Sequence, residues 1–220
     1  MITLYHQPIS ANSRRVWIAL LEKGLAFEEV IIKLDGDQNT PEFLEINPFH
    51  RIPVLVDDDL ILVESLAILD YLEAKYPTPT LLPKEPQALA KVKMVQMVTI
   101  NELLPVMTRL TTEAVGITQE PEKGEKAKQK AINVLDFFEK ILGEDKYFSG
   151  DSLTLADITA GTVIPTLPMI GVPLDHHPKL TAWGESLMSR DSWQKTQFTE
   201  EQVRDFIPRM KVLMKSYMDK

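Results

Sequence analysis

No cysteine occurs anywhere in the chain. That excludes disulfides, thiolate metal sites and a cysteine nucleophile, and nothing requires an oxidising compartment. Positive charge is also short: 24 Lys and Arg stand against 32 Asp and Glu, a formal net charge of −8. No basic cluster is dense enough to offset that field, so nucleic acid is not an expected partner. Long apolar runs are missing. The most apolar window, 158–174, carries Pro165, Pro168 and Pro173 and is too short to span a bilayer, so it reads as a buried helix running into a proline-rich loop. The first residues, Met1-Ile2-Thr3-Leu4-Tyr5-His6, begin like a strand and lack the basic region and apolar core of a signal peptide. The expectation is a cytoplasmic protein with no membrane association. There is no internal repeat and no low-complexity segment. The remaining balance, 44% hydrophobic and 25% charged over 220 residues, is that of one large globular domain or two small ones.

The most informative stretch runs from Arg51 to Tyr76. Two short β-rich runs, Ile52–Val56 and Leu60–Val63, flank Asp57-Asp58-Asp59, which is a hairpin signal. The hydrophobic period then changes from 2 to 3.6, with Leu66, Ile68, Leu69, Tyr71 and Leu72 forming the apolar face of a helix. Ser65 is expected at its N-cap, where a hydroxyl and the free N–H groups of the first turn attract a carboxylate or phosphate. Glu64 beside it suits an ammonium group. An anion site next to a cation site fits the head of an amino acid, although Glu-Ser ahead of a helix also reads as an ordinary cap.

Around that stretch the chain reads as follows. Ile2–Tyr5 is a strand, His6–Ser13 a loop, Arg14–Lys23 a helix stopped by Gly24, and Phe27–Leu34 a second strand, which together suggest a βαβ unit. A loop at 35–40 and a short helix, Pro41–Ile46, lead to Asn47-Pro48-Phe49-His50 and the hairpin. The order is β-α-β-α-β-β-α. Pro77, Pro79, Pro83 and Pro86 mark the best domain boundary. The expected division is 1–77, a linker at 78–87, and an all-helical domain over 88–220. In that second domain Ala88–Val115 reads as one long helix with a kink at Pro105, and Lys123–Leu142 as an amphipathic helix. A capping box is expected from Thr154 to Asp157, with Leu153 and Ile158 as its hydrophobic staple.

Four motifs in this order make the chain similar to the cytosolic glutathione transferases over nearly its whole length. Pro8-Ile9-Ser10-Ala11-Asn12-Ser13-Arg14-Arg15-Val16 resembles the first loop of the serine-type members. Asn47-Pro48-Phe49-His50-Arg51-Ile52-Pro53-Val54-Leu55 resembles the family's segment with a cis proline. Glu64-Ser65 resembles the pair that binds the γ-glutamyl end of glutathione, and Gly150-Asp151 through Ala156-Asp157 resembles the capping box of the helical domain. The resemblance implies a thioredoxin-like α/β N-terminal domain followed by an all-α domain. It also implies a glutathione transferase that uses glutathione as co-substrate, with no cofactor and no metal, and that forms a homodimer. The chain departs from the pattern around Asn39 and Thr40, which lack a basic residue, and at Arg51, where many relatives have Gln or Lys. The subclass stays open.

The implied chemistry is activation of the glutathione thiol. A free thiol with pKa about 8.5 is a few per cent ionised at pH 7, and lowering it by about two units needs roughly 2.7 kcal/mol of preference for the anion. One hydroxyl donated to an anion supplies about 1.5–3 kcal/mol. The resemblance assigns that hydroxyl to Ser10, with Asn12 and Ser13 as reserves; on the residues alone, each also reads as a helix cap. Tyr5, in a strand, is expected to point into the core. The resemblance makes Pro53 cis, where the residues alone read as an ordinary trans proline at a strand start; a cis bond would turn the Ile52 backbone toward the cysteinyl unit, and Arg51 and Asn39 are the candidates for the glycine carboxylate. His50 is a further candidate for the same carboxylate, although a histidine on a surface loop reads more simply as idle. Phe49 resembles the aromatic key that relatives insert into a partner subunit, and reads equally as a core residue. The adjacent His176 and His177 do not make a metal pair. The apolar side chains of Ile9, Val106, Met107, Leu110 and Ile164 are expected to line a pocket for a small hydrophobic electrophile, with peroxide reduction as a side activity. Two alternatives stand beside this reading. One is a glutathione-transferase-like binding or stress-regulatory protein without turnover. The other is a lyase, isomerase or dehalogenase on the same fold, although the Ser-Ser-Cys signature of the zeta-type isomerase is replaced here by Ser10-Ala11-Asn12.

Overall fold

The computed structural model describes residues 1–118 and 120–218, with side chains as far as Val212. Contacts divide the chain into two units: Met1–Pro79 with Ser192–Lys220, and Thr80–Asp191.

The first unit is built on a four-stranded sheet of order β2-β1-β3-β4. Strand β1 (Ile2–His6) alternates as a half-buried strand must, with Ile2, Leu4 and His6 buried. It pairs in parallel with β2 (Phe27–Ile31) through the crossover helix α1 (Ala11–Glu22), and antiparallel with β3 (Val54–Asp57). The hairpin partner β4 (Leu60–Val63) turns at Asp58, whose φ is 53°, and leads into α3 (Ser65–Lys75). Between β2 and β3 lie a 3₁₀ turn, Asp37–Asn39, and α2 (Pro41–Ile46), capped by the Thr40 hydroxyl accepting from the Phe43 N–H. The two helices α1 and α3 bury Val16, Ile18, Leu20, Ile68, Leu69 and Leu72, while Ile32, Phe43 and Val54 form a core cluster with Tyr5 packed against it. Lys23, just past α1, is buried but fully matched: its Nζ donates to the Tyr76 and Pro79 carbonyls at 2.8 and 2.9 Å and meets Glu73 Oε2 at 2.6 Å.

Three expectations change here. Strand β2 stops at Ile31 rather than Leu34, because Leu34 takes φ 60° and the Asp37 carboxylate accepts the Lys33 N–H at 3.0 Å, turning the chain away. Ser65 is not the N-cap of α3. Glu64 holds that position with φ 68°, and Ser65 is the first helical residue. The residues from Ser192 on group with the first unit rather than with the helices before them. Arg14 Nε donates to Thr196 Oγ1 at 3.2 Å and Nη2 to the Trp193 carbonyl at 3.5 Å, with the Phe198 ring 5.8 Å from the guanidinium, while Glu22 accepts from the Ser192 hydroxyl.

In the second unit α4 (Pro86–Val98) is capped by Glu85, whose Oε2 accepts the Ala88 N–H at 2.7 Å. The expected single helix over 88–115 is interrupted by a π turn at Thr99–Leu103 before α5 (Leu104–Ala114). Pro105 has no N–H to give and its ring crowds the carbonyl of Asn101, so the backbone widens there. Helices α6 (Pro121–Leu142), α7 (Leu155–Gly161) and α8 (Pro178–Met188) complete the unit, and α9 (Asp191–Lys195) and α10 (Glu200–Met218) end the chain. Asp157, fully buried, reaches back to the Thr154 N–H at 2.9 Å and also accepts from the Phe148 N–H at 2.9 Å and Trp183 Nε1 at 3.0 Å. Leu153 and Ile158 are buried beside it. Among the described residues no helix is long and apolar enough to cross a membrane.

A buried carboxylate ties the sheet to α3 at the end remote from Glu64. Asp57 accepts from Tyr71 Oη at 2.8 Å, Lys75 Nζ at 2.7 Å and Tyr76 Oη at 3.2 Å. Burial alone would raise its carboxyl, but the bonds from Lys75 and Tyr71 outweigh it and hold the group below its ordinary value. A carboxyl depressed on folding contributes stability above its unfolded pKa of about 3.9, and that contribution is lost as pH falls through the folded value. Asp57→Asn should therefore cost about 1–3 kcal/mol at pH 7 and markedly less at pH 2–3. Denaturant titrations showing the same loss at both pH values would contradict this.

Candidate functional site

The sheet register brings the segments that carry the residues expected to bind glutathione to one end of the first unit. Strands β1 and β2 run in parallel and stop together, His6 opposite Ile31. Strand β3 starts at that same end, Val54 opposite Tyr5, and β4 finishes there, Val63 opposite Val54. Four segments therefore leave or enter the sheet side by side: 7–10, 32–40, 47–53 and 64–65. They carry Ser10; Asn39; Arg51, Ile52 and Pro53; and Glu64 and Ser65 respectively. Ends of parallel strands followed by helices are where α/β folds leave crevices for ligands.

The first segment is held rigidly. Ser10 is the N-cap of α1, with φ −70° and ψ 120°, and its Oγ accepts from the Ser13 N–H at 3.4 Å. Its own N–H donates to the Gln7 carbonyl at 3.0 Å. Gln7 Nε2 reaches the Ile32 carbonyl at 3.0 Å, joining this segment to the next. Capping uses a lone pair of the Ser10 oxygen, so the hydroxyl proton stays free to donate. Ser13 is fully buried and its hydroxyl accepts the Gln7 N–H, so it faces inward, whereas Ser10 and Asn12 are half-buried.

The third segment folds around Asn47, a buried residue whose Nδ2 donates to the Arg51 carbonyl at 2.6 Å and whose Oδ1 accepts from the Phe49 N–H at 3.0 Å. The Ile52–Pro53 bond is cis, and the ladder ends at Val54, so the Ile52 backbone lies beyond it. His50, at φ 58°, sets Nδ1 2.9 Å from Asn39 Oδ1, linking the second and third segments. Asn39 and Arg51 are both exposed. Phe49 is 62% exposed, which overturns its reading as a core residue.

The fourth segment is an anion site in form. The first helical bond of α3 runs from the Ile68 N–H to the Glu64 carbonyl, so the N–H groups of Ser65, Leu66 and Ala67 have no partner within the helix. Glu64 holds positive φ without being glycine, which costs about 1 kcal/mol or more and is typical of functional positions. Beneath it Arg15, fully buried on α1, donates Nη1 to Ser65 Oγ at 3.3 Å. Among the described residues its Nε and Nη2 have no hydrogen-bond partner and no carboxylate pairs with it. Burial pushes the guanidinium down to about 9, which still leaves it charged at pH 7. Sequence reasoning missed Arg15 and set His50 aside. The available signal for Arg15 was its position in register with Ile18 and Ala19, an arginine on the buried face of α1.

Among the described residues no group of three or more His, Asp or Glu could hold a metal, and His177 is turned to Asp136 at 3.0 Å rather than to His176.

Comparison with known proteins gives a consistent picture. The family described as "Glutathione S-transferase, N-terminal domain" matches residues 4–80, and "Glutathione S-transferase, C-terminal domain" matches residues 72–191. Glutathione S-transferase 3 of Zea mays is 36% identical over 207 residues, covering 89% of this chain and 92% of that protein. Maleylacetoacetate isomerase of Mus musculus is 33% identical over 196 residues, covering 87% and 89%. The solved structure of a glutathione transferase homolog from Sulfitobacter with bound glutathione aligns with a TM-score of 0.77 at 28% identity, covering 89% of this chain and 96% of that one.

The cap at Ser10 can be measured by itself. Ser10→Ala should cost about 0.5–1 kcal/mol of unfolding free energy, the low range for a cap because the bond is long. Chemical denaturation showing no loss would remove the capping role.

Proposed function

The chain belongs to the glutathione S-transferase family, and we propose that it is an enzyme that binds glutathione across the four segments at that end of the sheet and activates its thiol for attack on a small hydrophobic electrophile. The observation that carries this is the convergence itself: a hydroxyl at a helix N-terminus, the backbone just ahead of β3 and a helix N-terminus with unpartnered N–H groups lie on segments that leave or enter neighbouring strands.

Each part of the peptide has a physical counterpart. The γ-glutamyl carboxylate takes the free N–H groups and hydroxyl at Ser65, and its ammonium meets Glu64. The cysteinyl unit pairs its backbone with the N–H and C=O of Ile52 as one more strand. The glycine carboxylate meets Arg51 and the Asn39 amide. Asn39 Oδ1 already faces His50, so its Nδ2 is the group left to donate, and His50 stands beside it as a third contact. Ser10 donates its hydroxyl to the sulfur, aided by the α1 dipole, and the thiolate is stabilised relative to the thiol. The serine is a hydrogen-bond donor and not a nucleophile. The thiolate then forms a carbon–sulfur bond to the electrophile, displacing halide from an aryl halide or adding to an isothiocyanate with uptake of a proton. With a hydroperoxide it cleaves the O–O bond and releases the alcohol, and a second glutathione converts the resulting sulfenic acid to the disulfide and water. Glutathione is the co-substrate. The exposed Phe49 supports a homodimer in which it enters the partner subunit.

A second reading has one observation in its favour, the likeness to the mouse isomerase. It would use the same thiolate in reversible addition to a double bond, giving cis–trans isomerisation with glutathione regenerated. A panel of aryl halides, isothiocyanates, hydroperoxides and a cis-enedione, each with glutathione, separates the two. Calorimetric binding of glutathione with no turnover on any of them would instead indicate a binding protein.

For the thiolate, Ser10→Ala should raise the pKa of bound glutathione toward about 8.5, followed by thiolate absorbance near 240 nm. Affinity should change little, and the rate should fall at pH 6.5 and partly recover at pH 9. An unchanged pH profile would end the assignment of Ser10. For the dimer, Phe49→Ala should cost about 2 kcal/mol or more of association and yield monomers on dilution. Light scattering showing an unaltered oligomeric state would exclude Phe49 as a key.

A further inference from the structure

We propose that Arg15 is a positioning residue for the γ-glutamyl carboxylate, holding the Ser65 hydroxyl as an outward donor and supplying the positive charge beneath the helix N-terminus. The inference rests on the glutathione placement proposed above. It assigns a role to a residue that no part of that placement uses.

Three observations meet here. The first is the direction of the Arg15–Ser65 bond. A serine hydroxyl has one proton and two lone pairs, and Arg15 Nη1, at 3.3 Å, occupies a lone pair. The proton cannot point back at a guanidinium, which has no acceptor. Among the described residues it donates to no other group, so it is left for a ligand oxygen at the open end of α3.

The second is the missing counter-ion. Arg15 is fully buried, has two nitrogens, Nε and Nη2, without hydrogen-bond partners and forms no ion pair among the described residues. Removing an unpaired charge from water is costly, and folds rarely retain one without a use. Lys23, equally buried in the same unit, shows the usual solution of two carbonyls and a carboxylate. The third is location. Among the described residues its one hydrogen-bond partner is the first residue of an eleven-residue helix whose leading N–H groups have no partner within the helix, so guanidinium and helix dipole favour the same negative charge. A carboxylate arriving there supplies the charge that the fold withholds, across a low-dielectric gap where such attraction is strongest.

The test compares Arg15→Met and Arg15→Lys for stability, for glutathione, and for the glutathione analogue that lacks the γ-glutamyl α-carboxylate (4-aminobutyryl-Cys-Gly). Arg15→Met should raise the Kd and KM for glutathione about tenfold or more, with kcat at saturating glutathione within about twofold. Its affinity for the analogue should equal that of the unaltered protein. Its melting temperature should hold or rise, since a buried unpaired charge has been removed. Arg15→Lys, which keeps the charge but not the fork, should fall between. A merely structural arginine predicts the opposite pattern: a lower melting temperature, and equal losses for glutathione and analogue. That result, or a lysine variant no better than methionine, overturns the proposal. If Arg15→Met does not fold, the lysine variant must still lose affinity for glutathione and not for the analogue, or the proposal fails. Ser65→Ala separates the two layers. If it binds glutathione normally, the placement of the ligand is wrong; if it weakens binding while Arg15→Met does not, only the role of Arg15 is.

Discussion

The pairing of β1 with both its neighbours is the constraint on which the rest depends. Parallel to β2 and antiparallel to β3, it makes one edge of the sheet the exit of three strands and the entry of the fourth. A slip of one residue in β1–β3 would turn Leu4 and His6 outward, and would also move Pro53 relative to the Gln7–Ser10 segment. Core and site therefore share one register and cannot drift independently. The Gln7 side chain on the Ile32 carbonyl and His50 on Asn39 repeat the same alignment beyond the ladder, segment by segment.

Buried cations in the first unit are treated in two ways, and the contrast separates scaffold from site. Lys23 is neutralised and saturated, and it staples the end of α3 to the end of α1. Arg14 is satisfied by a hydroxyl, a carbonyl and a ring, and fastens the 193–198 segment. Arg15, one residue further, is left with a single hydrogen bond among the described residues, at the helix N-terminus that the sequence had already marked through Glu64 and Ser65. Two of these buried cations are spent on architecture, and the third is left incomplete at the helix N-terminus where the γ-glutamyl carboxylate is proposed to bind.

The element order was legible because each switch of period coincided with a breaker: Gly24 after α1, the aspartate turn before β4, the proline run after α3. The family motifs singled out four segments that the strand register brings to one end of the sheet. Finer points depended on contacts that no local pattern encodes. Glu64 rather than Ser65 occupies the cap because the backbone turns through positive φ there, a conformation with no signature in a Val-Glu-Ser sequence. The π turn follows from Pro105 acting four residues back on a helix that looked continuous. The attachment of the last segment needs Arg14 and Thr196 to meet across 182 positions. Arg15 was visible only as an arginine on an apolar face, and its meaning comes from Ser65, 50 residues away.

The tie between Arg14 and the 193–198 segment bears on the order in which the chain can acquire its shape. The residues of the first unit are not contiguous: Thr80–Asp191 separate its beginning from its end. During synthesis, at about 5–20 residues per second, the sheet and α1 emerge several seconds before Trp193 and Thr196 exist. Throughout that interval Arg14 sits in the first turn of α1 with neither the hydroxyl nor the carbonyl that later receive it. The nascent unit thus carries an unfinished polar seam beside Ser10, which the 193–198 segment closes only after all of Thr80–Asp191 has been made.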